Sequence, residues 1–168
     1  MKNIFLIGMP SSGKSTLGKR VADALHYRFV DTDKLITREE GRSIAEIFAE
    51  SGEEYFREAE RRVLRTIKPG GSLVVSTGGG MPCFHENMAY INATGISVFL
   101  DVPVEILVKR MLVHAQEDRP LHSPSDPELL ANLRQRYNIR FPIYSQATVV
   151  VSGETTGNEI LQRIGKLL

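Results

Sequence analysis

A short apolar run followed by a glycine-rich segment near the start of the chain constrains the fold more than any other feature. Residues 3–7, NIFLI, form an apolar run that stops at Gly8. Such a run is typical of a strand buried on both faces of a parallel sheet. From residue 14 to residue 25 apolar side chains recur every four positions, which predicts a helix packed on one side. The segment GMPSSGKS at 8–15 therefore joins a buried strand to a helix.

This segment has the spacing of a phosphate-binding loop: glycine, four residues, glycine, lysine, then serine or threonine. Glycines let the backbone approach a ligand, and N–H groups at a helix N-terminus converge on phosphate oxygens. We expect Lys14 to reach the β- and γ-phosphates and the Ser15 hydroxyl to bind magnesium. A plain turn is the alternative, and the position between strand and helix argues against it. The predicted nucleotide-binding residues are Gly8, Ser11, Ser12, Gly13, Lys14, Ser15 and Thr16.

Strands and helices are predicted to alternate along the remaining chain. Further buried strands are expected at 28–31, 72–77, 96–100 and 147–151, which with the first makes five. Helices are expected at 34–39, 43–49, 53–67, from about 103 to 114, from 128 to about 140, and at 159–168. Alternation of this kind predicts an α/β fold, a three-layer αβα sandwich with a parallel sheet. Ligands bind at the carboxyl ends of the strands in such sheets.

Composition narrows the function classes. The 42% of apolar residues excludes bulk disorder, and 168 residues suit a single domain, 1–168. With 21 basic and 20 acidic residues the net charge is +1, which argues against an extended nucleic-acid binder. A single cysteine excludes an internal disulfide and a cysteine zinc cluster. No signal-peptide core or membrane-length apolar run is present, so we expect a cytoplasmic protein that binds no membrane.

The acidic residues separate the classes of nucleotide enzyme. No Asn-Lys-x-Asp guanine-reading segment is present, and the run SLVVST ends in Ser and Thr rather than in the acid of a motor ATPase. Two acids instead follow the second predicted strand, Asp31 and Asp33. One could hold magnesium through water, and the other could orient or deprotonate an acceptor hydroxyl. Capping of the next helix, by Asp33, would explain one aspartate but not both.

At this point the motifs resemble those of the shikimate kinases over nearly the whole chain. The matching segments are GMPSSGKS at 8–15, DTD at 31–33, GRSIAEIF at 41–48, FREAE at 56–60, STGGG at 76–80, DRPL at 118–121 and RFPIY at 140–144. The resemblance implies a P-loop fold like that of the nucleoside-monophosphate kinases, with sheet order 2-3-1-4-5. It also implies ATP-dependent phosphorylation of the shikimate 3-hydroxyl, a step toward chorismate and the aromatic amino acids. Another kinase of the same fold, acting on gluconate or a nucleoside monophosphate, and a non-catalytic ATP-binding module are the alternatives.

The resemblance also assigns residues. Asp33, Lys14 and Arg119 would be catalytic, with magnesium held by Ser15 and, through water, Asp31. Arg110 would lie against the adenine, and Arg119 would come from a lid at about 112–127. The implied shikimate-binding region is about 32–62 together with later residues. Its implied substrate-binding residues are Asp33, Phe56, Arg57, Glu60, Gly78, Gly79, Gly80 and Arg140.

The resemblance also implies how some of these residues act. Arg57 and Arg140 would pair with the substrate carboxylate, and Glu60, three residues along the same helix, would hold Arg57. Pro142 is expected to end or kink the helix after Arg140. The expected partners are ATP, magnesium and shikimate, with no nucleic acid, and the protein is expected to be a monomer.

Overall fold

A computed structural model describes residues 1–118 and 127–168, with side chains over 1–114 and 127–168. Its five strands form one parallel sheet in the order β2-β3-β1-β4-β5. The strands are β1 Asn3–Ile7, β2 Arg28–Asp31, β3 Leu73–Ser76, β4 Gly95–Asp101 and β5 Val149–Ser152. The predicted fold class and strand order are confirmed.

The helices cover both faces of the sheet. Residues 1–118 and 127–168 contain seven α-helices: α1 Lys14–Leu25, α2 Thr32–Glu40, α3 Ile44–Thr66, α4 Asn87–Thr94, α5 Val104–Asp118, α6 Pro127–Tyr144 and α7 Gly157–Ile164. A short 3₁₀ turn covers Met81–Cys83. No helix in the described part of the chain is both long and apolar enough to cross a membrane.

Alternation along β1 builds two separate apolar layers. Phe5 and Ile7 pack into a cluster with residues of α3, α4, α5 and α6 on one face of the sheet. Ile4 and Leu6 pack into a second cluster with α1 and α7 on the other face. Both layers require that every β1 residue be buried, as observed. Burial on both faces is why this strand is an apolar run without polar alternation.

Local signals explain where two of the helices begin. Asp31 caps α2, since its side chain accepts hydrogen bonds from the N–H groups of Asp33 and Lys34. Ser43 and Glu46 form the reciprocal capping box at the start of α3, as their spacing predicts. The two helices expected at 43–49 and 53–67 are continuous except at Gly52, whose φ of 83° interrupts the helical backbone. A third, smaller apolar cluster joins α2 to α3.

The structure differs from the expectations for these elements in four places. The loop expected at 115–127 is wrong for residues 115–118, which continue α5, and for residue 127, which begins α6, while residues 119–126 lie outside the described residues. Pro142 does not end α6, which continues to the fully buried Tyr144. Two elements after β3, the 3₁₀ turn and α4, were not predicted. The edge strands β2 and β5 are partly exposed rather than buried.

Candidate active site

A crevice of about 580 Å³ opens at the carboxyl ends of the strands. Residues 10–17 line it at the end of β1, Asp31 and Asp33 at the end of β2, and residues 76–79 at the end of β3. All three segments were selected from the sequence because they follow predicted strands. Their meeting in one crevice follows from the parallel sheet, in which the carboxyl ends of the strands share an edge.

The loop after β1 has the backbone of a phosphate cradle. Gly8 and Gly13 have φ angles of 145° and 96°, which disfavour residues with a Cβ. A Cβ on Gly8 would also lie 2.8 Å from the carbonyl oxygen of Leu100. Because a glycine precedes α1, no capping side chain accepts from the first N–H groups of the helix. Those donors are available to an anion, and the helix dipole favours one there.

Lys14 is held at this loop in a buried position. Its ammonium group donates to the carbonyl oxygens of Gly8 and Met9, at 2.8 Å each. Burial lowers the pKa of Lys14 to about 8, while the nearby Asp33 carboxylate acts in the opposite direction. A buried ammonium with a lowered pKa is a group that an anionic ligand would stabilise in its charged form.

Ser15 and Asp31 make an oxygen-rich corner beside the loop. The Ser15 hydroxyl lies 3.2 Å from Asp31 Oδ2 and 3.2 Å from the Ser76 hydroxyl. The other carboxylate oxygen of Asp31 accepts the capping hydrogen bonds of α2. Asp31 is thus the N-cap of α2. The alternative considered from the sequence, in which Asp33 caps this helix, is wrong. An oxygen-only set of this kind suits a hard cation such as Mg²⁺.

The described residues offer no group of three or more His, Cys, Asp or Glu that could hold a metal ion alone. Magnesium at the corner formed by Ser15 and Asp31 would therefore need water and phosphate oxygens as its remaining ligands. That requirement fits a site where the cation arrives together with a nucleotide.

Asp33 lines the crevice and keeps one carboxylate oxygen, beside Gly78, without a partner in the described part of the chain. Its Oδ1 atom is buried and has no hydrogen-bond partner among the described residues. Burial raises the pKa of Asp33, and the adjacent Asp31 carboxylate raises it further. A buried acceptor of this kind has a hydrogen bond to gain from a ligand hydroxyl.

Glu60 and Arg57 form a buried pair on α3. Arg57 Nη1 lies 2.7 Å from Glu60 Oε1, and the Glu60 side chain is only 1% exposed. Burial raises the pKa of Glu60 to about 7, although the hydrogen bond from Arg57 lowers it. The second oxygen, Oε2, has no hydrogen-bond partner among the described residues. The pair predicted from their three-residue spacing is confirmed, and it is buried rather than an ordinary exposed ion pair.

Three successive glycines form one wall of the site, and each faces a different charged side chain. The distances are those that a Cβ atom would have at each position. They are 2.8 Å from Gly78 to Asp33 Oδ1, 3.2 Å from Gly79 to Arg140 Nη1, and 2.5 Å from Gly80 to Arg57 Nη1. Any larger residue would displace these groups, so the glycines bring the backbone, two guanidinium groups and a carboxylate together.

Arg140 reaches the glycines from α6, one helical turn before Tyr144. The Tyr144 hydroxyl donates to the carbonyl oxygen of Gly79. Tyr144 is fully buried and packs against Phe99, with ring centroids 5.0 Å apart. The motif RFPIY contains Tyr144, but nothing in the sequence distinguishes this tyrosine from an ordinary core residue.

Arg110 closes the crevice from α5. Its guanidinium donates to the carbonyl oxygen of Ser11 at 3.0 Å and lies 3.4 Å from Glu154. His114, one turn further along α5, also lines the crevice and was not predicted to do so. Thr16 lines it as predicted.

Two aromatic rings lie beside Arg57. Phe56 was expected to wall the substrate pocket, and its side chain is buried in the apolar cluster between α2 and α3. Phe84 was not predicted to belong to the site, yet the Arg57 guanidinium carbon lies 4.1 Å from the centre of its ring. No local sequence signal distinguishes Phe84 from a packing residue.

The remaining site predictions concern Arg119 and the lid. Arg119 and most of the lid expected at 112–127 lie outside the described residues. Residues 112–118 at its start belong to α5, and residue 127 begins α6.

Comparison with known proteins decides the family. A family model described as shikimate kinase matches residues 10–168. The chain belongs to the shikimate kinase family. A shikimate kinase of Clostridium botulinum is 43% identical over 151 residues, which cover 90% of this chain and 87% of that protein.

Solved structures of shikimate kinases have the same architecture. The enzyme of Bacteroides thetaiotaomicron superposes with a TM-score of 0.87 at 36% identity, covering 99% of this chain and 97% of the other. The enzyme of Acinetobacter baumannii, solved in complex with shikimate, has a TM-score of 0.84 at 32% identity over 99% and 92% of the two chains. The resemblance to shikimate kinases inferred from the motifs is confirmed.

Proposed function

We propose that this shikimate kinase transfers the γ-phosphoryl group of ATP to the 3-hydroxyl of shikimate, giving shikimate 3-phosphate and ADP. The supporting observation is the wall of glycines, which brings Asp33, Arg57 and Arg140 to one side of a phosphate-binding crevice. A small acid with hydroxyl groups matches this combination of guanidinium groups and a carboxylate acceptor. The product lies on the route to chorismate and the aromatic amino acids.

ATP binds at the loop after β1 in this proposal. Backbone N–H groups of the segment from Gly8 to Thr16 hold the phosphates, and Lys14 offsets negative charge on the γ-phosphoryl group. The ammonium of Lys14 already lies within the loop, 2.8 Å from two of its carbonyl oxygens. Arg110, tied to the loop through Ser11, stands at the side of the crevice where the adenine would extend.

Magnesium would be held by the Ser15 hydroxyl directly and by Asp31 through water. When bound, the ion neutralises charge on the phosphate oxygens. The 3.2 Å contact of Ser15 with Asp31 Oδ2 keeps both donors at one corner. The capping bonds of α2 fix the Asp31 carboxylate in that orientation.

Shikimate would lie against region 32–62 and the three glycines. Arg57 and Arg140 bind its carboxylate through charge-assisted hydrogen bonds, which planar guanidinium groups make in pairs. Glu60 holds Arg57 in place at 2.7 Å. Gly78, Gly79 and Gly80 let the ring approach the backbone, and Phe56 supports Arg57 from within its cluster.

Asp33 orients the 3-hydroxyl toward the γ-phosphorus. A bond forms between this oxygen and the phosphorus as the bond to the β-γ bridging oxygen breaks, and ADP leaves. The hydroxyl proton passes late to Asp33, whose pKa is raised by burial, which makes it a better proton acceptor. Arg119 is proposed to offset charge on the moving phosphoryl group from the lid.

The identity of the product tests this proposal. The purified protein is incubated with magnesium, ATP and shikimate, and the product is examined by phosphorus and proton NMR. One phosphate coupled to the proton on carbon 3, with equimolar ADP, is the expected result. Phosphate on another hydroxyl, or ATP hydrolysis without a phosphorylated product, would contradict it.

A further inference from the structure

The Arg57 guanidinium lies against two aromatic rings. Its central carbon is 4.1 Å from the centre of the Phe84 ring and 5.4 Å from the centre of the Phe56 ring. Phe84 follows the 3₁₀ turn that continues from the three glycines, so it reaches Arg57 from a different segment than α3. The Arg57 side chain is 11% exposed, which leaves little water to compete with the ring for the cation.

The hydrogen bonds to this guanidinium are unequal in strength. Glu60 accepts from Nη1 at 2.7 Å, while the 60% exposed Glu53 accepts from Nε and Nη2 at 3.4 Å each. The two long bonds to an exposed carboxylate resist rotation about the Glu60 contact only weakly. The face of the Phe84 ring and the close backbone of Gly80 restrict that rotation. A planar guanidinium is favoured when it stacks parallel to an aromatic ring or lies over the ring centre.

The segment that carries Phe84 is itself anchored to the site. Asn87 donates from its side chain to the carbonyl oxygen of Met81 at 2.9 Å and from its backbone to Phe84 at 2.9 Å. His85 lies 3.3 Å from Glu58, the residue after Arg57 on α3. The backbone segment that carries the Phe84 ring is therefore held on both sides of Phe84.

We propose that Phe84 is a positioning residue for shikimate, acting through Arg57. By fixing the guanidinium plane, it presents the remaining N–H groups in the orientation that pairs with a carboxylate. This inference rests on the proposed function, because it concerns how that substrate's carboxylate is held. If Phe84 only filled space, an aliphatic side chain at position 84 would serve as well as the ring.

The first test replaces the ring. Phe84→Leu is expected to raise the shikimate KM about five- to tenfold, which lies between the effects of losing an exposed and a desolvated cation–π contact, with the ATP KM unchanged. Phe84→Tyr, which keeps the ring, is expected to retain the parent KM. Both variants and the parent are assayed by ADP release and by thermal melting. An equal shikimate KM in Phe84→Leu and the parent would overturn the proposal.

A matched control is the contact between Arg65 and Tyr90, which has the same 4.1 Å geometry and lies further along α3. Tyr90→Leu is expected to lower the melting temperature but leave the shikimate KM within about twofold of the parent, since Arg65 is not in the proposed site. A rise in KM equal to that of Phe84→Leu would mean a general effect on folding and would overturn the positioning role.

A double-mutant cycle separates action through Arg57 from direct contact with substrate. Shikimate kcat/KM is measured for Phe84→Leu, Arg57→Ala and the double variant. The Phe84→Leu effect is expected to disappear when Arg57 is absent. Equal effects in both backgrounds would overturn the proposal. Absence of shikimate turnover in the parent would instead contradict the proposed function, so the two failures are distinguishable.

Discussion

At the scale of single residues, the site keeps buried polar atoms that the described part of the protein does not satisfy. Asp33 Oδ1 and Glu60 Oε2 are both buried without a hydrogen-bond partner there. Both lie near Gly78, at 2.8 Å and 3.0 Å from the position of a Cβ on that residue. Buried polar atoms without partners destabilise a fold by about 1–3 kcal/mol each, so a hydroxyl or a water that reached either atom would be stabilised by a new hydrogen bond.

Asp33→Asn keeps the size of the side chain but removes the proton acceptor, so kcat is expected to fall by about 10²- to 10⁴-fold. ATP affinity, measured by isothermal titration, is expected to change little because Asp33 is not part of the loop after β1. Asp23→Asn, at an exposed position of α1, is the control. Turnover equal to that of the parent in Asp33→Asn would exclude the assigned role.

The raised pKa of Glu60 makes a prediction about stability. Its pKa is raised from 4.5 to about 7 on folding. The folded state therefore favours the protonated form, and this contribution to stability is complete below pH 4.5 and is lost as the pH rises through 7. Relative to Glu60→Gln, the parent is expected to lose a few kcal/mol of unfolding free energy over this window, at about 1.4 kcal/mol per unit of pKa shift.

The measurement is chemical denaturation of both proteins between pH 4.5 and pH 8. Glu54→Gln, at an exposed position on the same helix, is the matched control and is expected to follow the parent throughout. Parallel stability curves for the parent and Glu60→Gln would contradict the effect of burial on this carboxyl.

At the scale of elements, the glycines after β3 make the site possible. Gly80 has φ −86° and ψ −14°, angles that alanine adopts freely, so Gly80→Ala adds only a methyl group. That methyl would lie 2.5 Å from Arg57 Nη1 and must displace the guanidinium. We expect the shikimate KM to rise at least about tenfold, as for loss of a charge-assisted pair, with the ATP KM and melting temperature nearly unchanged.

Gly157→Ala, at the start of α7, is a control because its Cβ would approach only Arg20 and Val21 within 4 Å. Steady-state kinetics with each substrate varied separately distinguish the two outcomes. A shikimate KM in Gly80→Ala equal to that of the control would show that Arg57 does not depend on this close approach.

Helix α6 links substrate binding to the core. Tyr144→Phe removes the hydrogen bond to the carbonyl oxygen of Gly79. We expect a loss of about 1–2 kcal/mol in unfolding free energy and a raised shikimate KM, since the carbonyl is left without its donor. Tyr137 is also on α6, and Tyr137→Phe removes its hydrogen bond to Asp101 at the end of β4. As the control, it is expected to lose stability without changing the shikimate KM; equal KM changes would contradict the link.

The sequence predicted the elements that have a buried apolar run or a clear helical periodicity. It missed an element that has neither periodicity nor a capping signal. The buried run of β1 and the periodic residues of α1 predicted both elements at their observed bounds. Helix α4 has eight residues, and its N-cap, Glu86, is in the left-handed region without a side-chain capping bond. Neither periodicity nor a start signal therefore marks it.

At the scale of the whole molecule, the net charge of +1 does not show how the charges are distributed, because positive groups are concentrated at the site. Lys14, Arg57, Arg110 and Arg140 lie in or beside the crevice, whereas many of the acids pair on the outer surfaces of α2 and α3. Sequence and resemblance predicted that Lys14, Arg57, Arg110 and Arg140 would lie close together, and the structure places them in or beside one crevice. They could not predict that Phe84 and Tyr144 would contact Arg57 and Gly79, because those contacts depend on how distant segments pack. The cytoplasmic location and the monomeric state stay predictions.

The most direct test of the account compares acceptors. ADP release is measured with magnesium, ATP and, in parallel, shikimate, gluconate, AMP and GMP, and kcat/KM is determined for each. The account predicts that shikimate is preferred by at least about a thousandfold, because only a ring acid with hydroxyl groups engages both arginines and Asp33. Comparable kcat/KM values for gluconate or a nucleotide, or ATP binding without turnover of any acceptor, would contradict it.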